Sequence, residues 1–533
     1  MQCLKPCWSI LLVGFLFGTS PAYANDYFLT IAGGYAPQGN QASLEANVLF
    51  FQRLLSTKQL AGSTHKVYFA DGFDGEHDLQ VLQRNDDRPA PAISALSDIF
   101  RLSANDKLYY RNHQVPDISG GIRSADIREG LNAIGSQLTA GDRLFVYVTA
   151  HGGAARGKDS GNTSITCWGN KPLAMKEFSG WLDALPSEVT VVSVMAQCYC
   201  GGFANTIFEA GDEEQGFAKN LRCGFFAQQP DLPAAGCRPD VENDEEYSSY
   251  FWGAFLGKSR TGKDVGAVDC NNDGRVSLAE AHAYAVVASE TIDIPLRSSE
   301  TILRRYSRIA GYEIDSKQRR DHDAAATTEG SSDNLAYLTG TLYEIAAQGR
   351  PEEARMIVGL AEKLSLAESC EMEEVIKRYD LQRAEFRNSP RFGQRRPRGF
   401  SVRRKIQAAV IQKWPELEDP HNWTEADILQ PENQPEFLLH LEQLDGYAEF
   451  LKSNEERTKS REESLQAELK QVKFRRLVQQ LENVILSRNI SLIASPEVLE
   501  RYRKVVSAEE GLLGNLAPEQ SKRPTEPTSL EQR

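Results

Sequence analysis

The chain has 533 residues, a formal net charge of −14 and 41% apolar residues. This length exceeds what one hydrophobic core normally serves, so two or three domains are expected. The acidic balance argues against general nucleic-acid binding. After the N-terminus, no segment is long and apolar enough to span a bilayer, so no integral membrane segment is expected.

The first 24 residues have the pattern of an export signal. Lys5 supplies the positive end, residues 8–17 supply a short apolar core, and residues 22–24 (Ala-Tyr-Ala) supply a small-x-small cleavage site. The apolar core is too short for a membrane anchor. We therefore expect an exported protein, periplasmic or secreted, that is cleaved near Ala24.

Predicted strands and helices alternate through the first half of the chain. Strands are predicted at 27–32, 66–70, 144–151, 189–197 and 223–227, and helices at 41–56, 124–138, 172–185 and 247–256. Residues 73–121 are polar and are expected to be rich in loops. The alternation predicts an α/β/α sandwich with a mostly parallel sheet over residues 25–312.

The composition changes after residue 312. Residues 313–332 are rich in Asp, Ala, Thr, Gly and Ser, which is typical of a linker. Helices are predicted at 333–348, 351–364, 370–386, 400–413, 434–488 and 495–510, as an all-α region over 333–514. Its long helix could mediate self-association or bind a protein partner. Residues 515–533 have little to bury and are expected to be disordered.

Two of the apolar strands end at reactive residues, one at His151-Gly152 and the other at Gln197-Cys198. The carboxyl ends of parallel strands meet at one edge of a sheet, so these residues are expected close together. A thiol attacks as the thiolate and needs a base or a positive field nearby. We therefore predict that Cys198 is a nucleophile and His151 its acid/base. The backbone N–H groups of Gly152 and Cys198 could stabilise an oxyanion.

Seven cysteines follow the predicted signal, an odd number that leaves at least one thiol without an intramolecular partner. Cys223 and Cys237 flank a loop and could form a disulfide. Cys198 and Cys200 could pair in a latent form, because a strained bond between residues so close is easily reduced. Alternatively, Cys200 could itself be the attacking thiol.

The two segments resemble the caspase/legumain group of cysteine peptidases. Ala150-His151-Gly152 is similar to that group's His-Gly motif, and residues 196–201 are similar to its legumain-type cysteine block. Residues 247–256 look like the Ser/Tyr-rich helix after the fifth strand. The resemblance implies a caspase-like fold and an endopeptidase that cleaves peptide or protein substrates through a Cys198 thioester. It leaves open a transamidase, or an inactive scaffold with a helical partner-binding arm.

The resemblance also bears on substrate preference, because the group cleaves after Asn, Asp, Arg or Lys. A basic side chain would need a buried carboxylate in its pocket. Asp231, Asp240 and Asp244, after the fifth strand, are the candidates. Acidic residues on a surface loop would give the same pattern, so this alternative stays open.

Residues 269–280 match every position of an EF-hand calcium loop. The predicted ligands are Asp269, Asn271, Asp273, the carbonyl of Arg275, Ser277 and Glu280. A helix is predicted directly after the loop, as the motif requires. Because only one such loop is visible, we expect weak, structural Ca²⁺ binding. The alternative is a polar turn that caps the helix; no organic cofactor is implied.

Overall fold

A computed structural model gives the fold of the chain. It describes residues 25–58, 60, 62–84, 91–101, 106–157, 159–236, 246–314, 334–367, 369–388, 399–419, 422–423 and 425–514. The predicted signal, nearly all of the predicted linker and the predicted C-terminal tail lie outside these residues. Asp240, Asp244 and Cys237 also lie outside them.

Ten strands are defined in this part of the chain. They are β1 (Asp26–Gly33), β2 (His65–Phe69), β3 (Leu79–Arg84), β4 (Asp106–Arg111), β5 (Arg143–Gly153), β6 (Ser164–Cys167), β7 (Lys171–Ala174), β8 (Thr190–Met195), β9 (Leu221–Phe226) and β10 (Leu296–Arg297). The main sheet has the order β10-β9-β8-β5-β1-β2, and β6 and β7 extend it from β5. All pairings from β9 to β2 are parallel, while β10 runs antiparallel.

The central strands form because their side chains are buried on both faces of the sheet. Val146, Tyr147 and Val148 on β5 are buried, as are Val191 and Val194 on β8. Such continuous, β-branched runs are typical of a parallel sheet covered on both sides. The predicted α/β class with a mostly parallel sheet is therefore confirmed.

Seven helices are defined in the described first half of the chain. They are α1 (Ala42–Thr57), α2 (Pro91–Phe100), α3 (Ser124–Gly135), α4 (Met175–Leu182), α5 (Tyr247–Leu256), α6 (Leu278–Ala288) and α7 (Ser298–Tyr306). On α1, the apolar residues that recur at helical spacing are buried: Leu44, Val48, Phe51 and Leu55. Helices α1, α5 and α6 pack side by side.

Two predictions in this half were wrong. Residues 73–121 are not loop-rich, because they contain the hairpin of β3 and β4 with α2 between its strands. The helix predicted at 172–185 begins only at Met175, since residues 171–174 form β7 and pair with β6. Pro172 is compatible with this short strand because it lies at the sheet edge.

The C-terminal region is helical, as predicted. Its helices are α8 (Leu342–Ala346), α9 (Pro351–Lys363), α10 (Met372–Asn388), α11 (Gly399–Lys413), α12 (Gln434–Gln443), α13 (Tyr447–Ile493) and α14 (Pro496–Glu509). The helix predicted at 333–348 is reduced to α8. The long helix predicted at 434–488 is interrupted before Tyr447, where Gly446 has φ of +85°. An L-residue with a side chain rarely adopts this conformation, so the glycine marks the break.

The helical region and the α/β region share one hydrophobic core. Phe474, Leu477 and Leu481 of α13 belong to the same buried cluster as Val148 of β5. A second, smaller cluster joins α2 to α11, α12 and the start of α13. In the described residues, no helix has the length and apolar character needed to cross a membrane.

Candidate functional site

The register of two neighbouring strands positions His151 and Cys198. β5 and β8 are paired in parallel, and their last ladder pair joins Val148 to Met195. His151 and Cys198 each lie three residues beyond that pair, in the two segments that leave the same edge of the sheet. The strand ends thus bring the two sequence-predicted residues together at one edge.

Gly152 is in direct contact with the turn that carries the thiol. A Cβ atom added to Gly152 would overlap the carbonyl oxygen of Cys198 and lie 2.9 Å from Cγ of Gln197. Only glycine allows these two backbone segments to approach so closely. The residue that follows His151 therefore has a steric role in bringing the two strand ends together.

Two oxygen atoms hold the imidazole of His151. Its Nε2 lies 2.8 Å from the carbonyl oxygen of Gly39 and 2.9 Å from Oε1 of Gln41. Both partners can only accept, so Nε2 carries the proton and Nδ1 presents a lone pair in the neutral ring. The ring of Tyr35 packs edge-on at 5.1 Å. Burial lowers the pKa of His151, although the Gly39 carbonyl opposes part of this shift.

The thiol of Cys198 is half-buried beneath the loop that follows β9. Its Sγ accepts a hydrogen bond from the backbone N–H of Ala234 at 3.2 Å and lies 3.8 Å from the carbonyl oxygen of the same residue. Burial raises the pKa of the thiol; the Ala234 N–H lowers it, and the negative charge of Asp293 raises it. In the described part of the chain, the thiol and the imidazole of His151 make no hydrogen bond with each other.

The turn after Cys198 has an unusual backbone conformation. Tyr199 has φ of +61° and ψ of +15°, a left-handed conformation that a bulky residue rarely adopts. Such conformations are concentrated at functional sites, where the surrounding structure enforces them. The backbone N–H of Cys198 itself lies beside the thiol and helps to lower the pKa of that thiol.

Cys200 is fully buried and differs in this respect from Cys198. Its Sγ accepts the backbone N–H of Gln228 at 3.2 Å, and burial raises its pKa far above the ordinary value. Both Cys198 and Cys200 are free thiols. Cys223 is also a free thiol, buried inside β9, and its predicted partner Cys237 lies outside the described residues.

One carboxylate near the thiol, that of Asp293, is not among the candidates from the sequence, of which Asp240 and Asp244 lie outside the described residues. Asp231 is exposed on the loop after β9. Asp293 is instead buried: its Oδ1 accepts the backbone N–H of Ala235 at 2.7 Å, and burial raises its pKa to about 6. No sequence signal pointed to Asp293, because its partners lie in a segment distant along the chain.

Glu246 is a second buried carboxylate that the sequence did not single out. It accepts hydrogen bonds from Asn47 and, at 2.6 Å, from Ser248, and burial raises its pKa to about 7. Asn47 also donates to Thr149 at 2.9 Å, and Thr149 lies two residues before His151 on β5. Glu246 therefore lies in a hydrogen-bonded network beneath the strand that carries His151. In the sequence, Glu246 lies only two residues after the candidate Asp244.

The EF-hand-like loop is folded as a closed turn. Asp269 accepts the backbone N–H groups of Asp273 and Gly274 at 3.2 and 2.9 Å. Glu280 folds back and accepts the N–H groups of Cys270 and Ser277 at 2.7 and 2.9 Å. Within the described ranges, no three His, Cys, Asp or Glu side chains converge closely enough to enclose a metal ion. The carboxylate and carbonyl oxygens still provide the hard donors that Ca²⁺ prefers.

Comparisons with known proteins leave the family open. No protein-family model and no curated protein matches the sequence. Among solved structures, the chain is similar to protein GSU0716 from Geobacter sulfurreducens, with 11% identity and a TM-score of 0.29. The similarity covers 51% of this chain and 93% of that one. It is too low to indicate a fold or a function.

Proposed function

We propose that this protein is an exported cysteine endopeptidase of the caspase/legumain type, with Cys198 as nucleophile and His151 as acid/base. The register of β5 and β8 carries the proposal, because it brings both residues to one edge of the sheet. The anchored imidazole and the left-handed turn at Tyr199 add support.

The first half of the reaction uses the neutral pair. Burial favours a neutral imidazole and a protonated thiol in the resting site. As Sγ of Cys198 attacks the scissile carbonyl carbon, Nδ1 of His151 accepts the thiol proton. The backbone N–H of Cys198 would donate to the oxyanion. The intermediate then expels the amine, which takes the proton from His151 and leaves a thioester.

The second half of the reaction releases the carboxylic acid product from the thioester. Water attacks the thioester carbonyl and gives a proton to His151, and the C–S bond breaks. The proton returns to the sulfur, which restores the resting thiol and imidazole. If an amine takes the place of water, the product is a new amide, which is the transamidase alternative.

The test compares two thiols that lie two residues apart. Cys198→Ala should abolish cleavage of a degenerate peptide library, and a thiol-reactive probe should then label only other cysteines, such as the partly exposed Cys270 and Cys370. Cys200→Ala is the matched control: that thiol is fully buried, so we expect activity to remain. Full cleavage by Cys198→Ala, or equal loss in both variants, would contradict the proposal. An added amine separates hydrolysis from transamidation by the mass of the products.

We also propose that residues 269–280 bind Ca²⁺. The ion would be held by oxygens of Asp269, Asn271, Asp273, Ser277 and Glu280 and by the carbonyl of Arg275. Its role would be to stabilise the turn that leads into α6, with no part in the reaction. Its affinity should fall in the weak range of extracellular modules, with Kd of about 10⁻⁴–10⁻³ M.

Calorimetric titration with Ca²⁺ tests this second proposal. Asp273 is exposed, so Asp273→Ala should leave the fold intact and abolish saturable binding. Asp264→Ala removes the same charge from an exposed side chain just before the loop, and should bind as the unchanged chain does. Absence of saturable binding in the unchanged chain would refute calcium binding by this loop.

A further inference from the structure

A buried arginine of helix α13 makes several contacts with the irregular segment between α6 and β10. Arg476 is 1% exposed. Its guanidinium donates to the carbonyl oxygens of Val286, Ser289, Thr291 and Asp293 at 2.9, 2.9, 3.0 and 2.7 Å. Buried carbonyl groups need donors, and one side chain supplies them for three residues of this segment and for Val286 near the end of α6. The conformation of the segment therefore depends on Arg476.

This segment in turn holds the loop above the thiol, residues 228–236, which we call the thiol loop. The Asp293 carboxylate accepts the N–H of Ala235 at 2.7 Å. Gln228 accepts the N–H of Ile294 at 3.2 Å and donates to the carbonyl of Pro233 at 2.9 Å. These bonds join both ends of the thiol loop to the residues that Arg476 organises.

A second side chain of α13 contacts the thiol loop directly. Gln479 lies one helical turn after Arg476 and is buried. Its Oε1 accepts from Nε2 of Gln229 at 3.3 Å, and its Nε2 donates to the carbonyl of Pro295 at 2.8 Å. The helix thus contacts the thiol loop and the segment next to it through neighbouring residues on one face.

We propose that Arg476 and Gln479 are positioning residues for Cys198. Through the thiol loop they hold the backbone N–H of Ala234 against Sγ, where it stabilises the thiolate. The inference rests on the proposed role of Cys198 as nucleophile. It gives the C-terminal helical region a part in the active site itself, in addition to any part in partner binding.

The experiment measures the alkylation rate of Cys198 by iodoacetamide against pH, in the full chain, with residue-resolved mass spectrometry. Arg476→Met should raise the midpoint by about one pH unit, because the displaced thiol loop no longer holds the N–H of Ala234 as a donor to the thiolate. Arg476→Lys keeps a cation that can reach some of the carbonyls, and should restore part of the shift. Arg475→Met is the matched control: Arg475 faces Tyr379 and should leave the midpoint unchanged.

Two further variants keep the test decisive if Arg476→Met does not fold. Gln479→Leu has nearly the same volume, loses the contact with Gln229, and should raise the midpoint by a smaller amount. Asp293→Asn should lower it, because the negative charge that raises the pKa of Cys198 is removed. An unchanged midpoint in folded Arg476→Met or Gln479→Leu, or an equal shift in Arg475→Met, overturns the proposal.

The result is separable from the proposed function, because alkylation needs no substrate. If Cys198→Ala still cleaves peptides while the midpoints shift as expected, the peptidase assignment fails and the link from α13 to the thiol stands. If Cys198 is required for cleavage and the midpoints do not move, the positioning role fails by itself.

Discussion

The sheet edge that carries His151 and Cys198 and the buried half of α13 (residues 472–490) are both closely fitted, but by opposite means. At the edge the fit depends on a residue without a side chain, because Gly152 leaves room for the carbonyl oxygen of Cys198. In α13 it depends on long polar side chains, such as Arg476 and Asn489, that reach backbone groups distant along the chain. Adding atoms should therefore damage the edge, whereas removing atoms should damage the helix.

The largest effect is expected at the edge, from Gly152→Ala. The added Cβ would overlap the carbonyl oxygen of Cys198 and force the ends of β5 and β8 apart. A displacement of about 1 Å can cost about 100-fold in rate, so kcat/KM should fall by at least about that factor. Gly180→Ala is the control, because no atom lies within 4 Å of its added Cβ. Similar kcat/KM values in both variants would contradict a steric role for Gly152.

Within α13, substitution of one buried and one exposed leucine compares the stability contributed by the two halves of the helix. Leu481 is 0% exposed and Leu465 is 43% exposed. Leu481→Ala should lower the free energy of unfolding by about 2–5 kcal/mol, because it leaves a cavity in the shared core. Leu465→Ala should change it by less than about 0.5 kcal/mol. Urea unfolding followed by circular dichroism measures both, and equal losses would contradict the division of α13.

A smaller loss is expected from Asn489→Ala. Asn489 accepts the N–H of Ala336 at 2.9 Å and donates to the carbonyls of Arg308 and Ala336 at 2.9 and 3.1 Å. Leaving such buried groups without partners costs about 1–3 kcal/mol in the free energy of unfolding. The matching change Asn454→Ala, in the exposed half, should cost about 0.2–0.5 kcal/mol, since it loses one contact within the helix. Urea unfolding tests whether the two losses differ.

The smallest expected effect is a shift in pH dependence at the edge. His151 must be neutral to accept the thiol proton, and burial lowers its pKa. Activity should therefore fall only as the pH drops below the usual histidine pKa of about 6.5. Gln41→Glu places a negative charge beside Nε2, raises the pKa of His151, and should move this acid limb upward. A pH profile of kcat/KM with its acid limb above pH 7 in the unchanged chain would contradict the geometry.

Much of the fold could be predicted because its signals are local. The strands before His151 and Cys198 are continuous apolar runs, and the stripe of α1 repeats at helical spacing. The hairpin of β3 and β4 was missed because its strands are short and more than 20 residues separate them, rather than a tight turn. The break at Gly446 was missed because the flanking segments are both helical.

The site could be predicted only in part. His151, Gly152 and Cys198 stand out because each reactive residue directly follows a strong strand signal. The supporting groups do not, since Gln41, Asp293 and Arg476 meet their partners only through tertiary folding. A charged residue within a long charged helix gives no hint that it is buried, and a backbone carbonyl such as that of Gly39 has no sequence signature.

The shared register of β5 and β8 has a consequence for how this chain tolerates changes in length. On both strands the reactive residue comes three residues after the last ladder pair. This spacing does not depend on the length of the segment that connects the two strands. Insertions between β5 and β6 should leave the imidazole and the sulfur at the same edge of the sheet. One extra residue between Met195 and Cys198 would break this match and shift the sulfur relative to the imidazole.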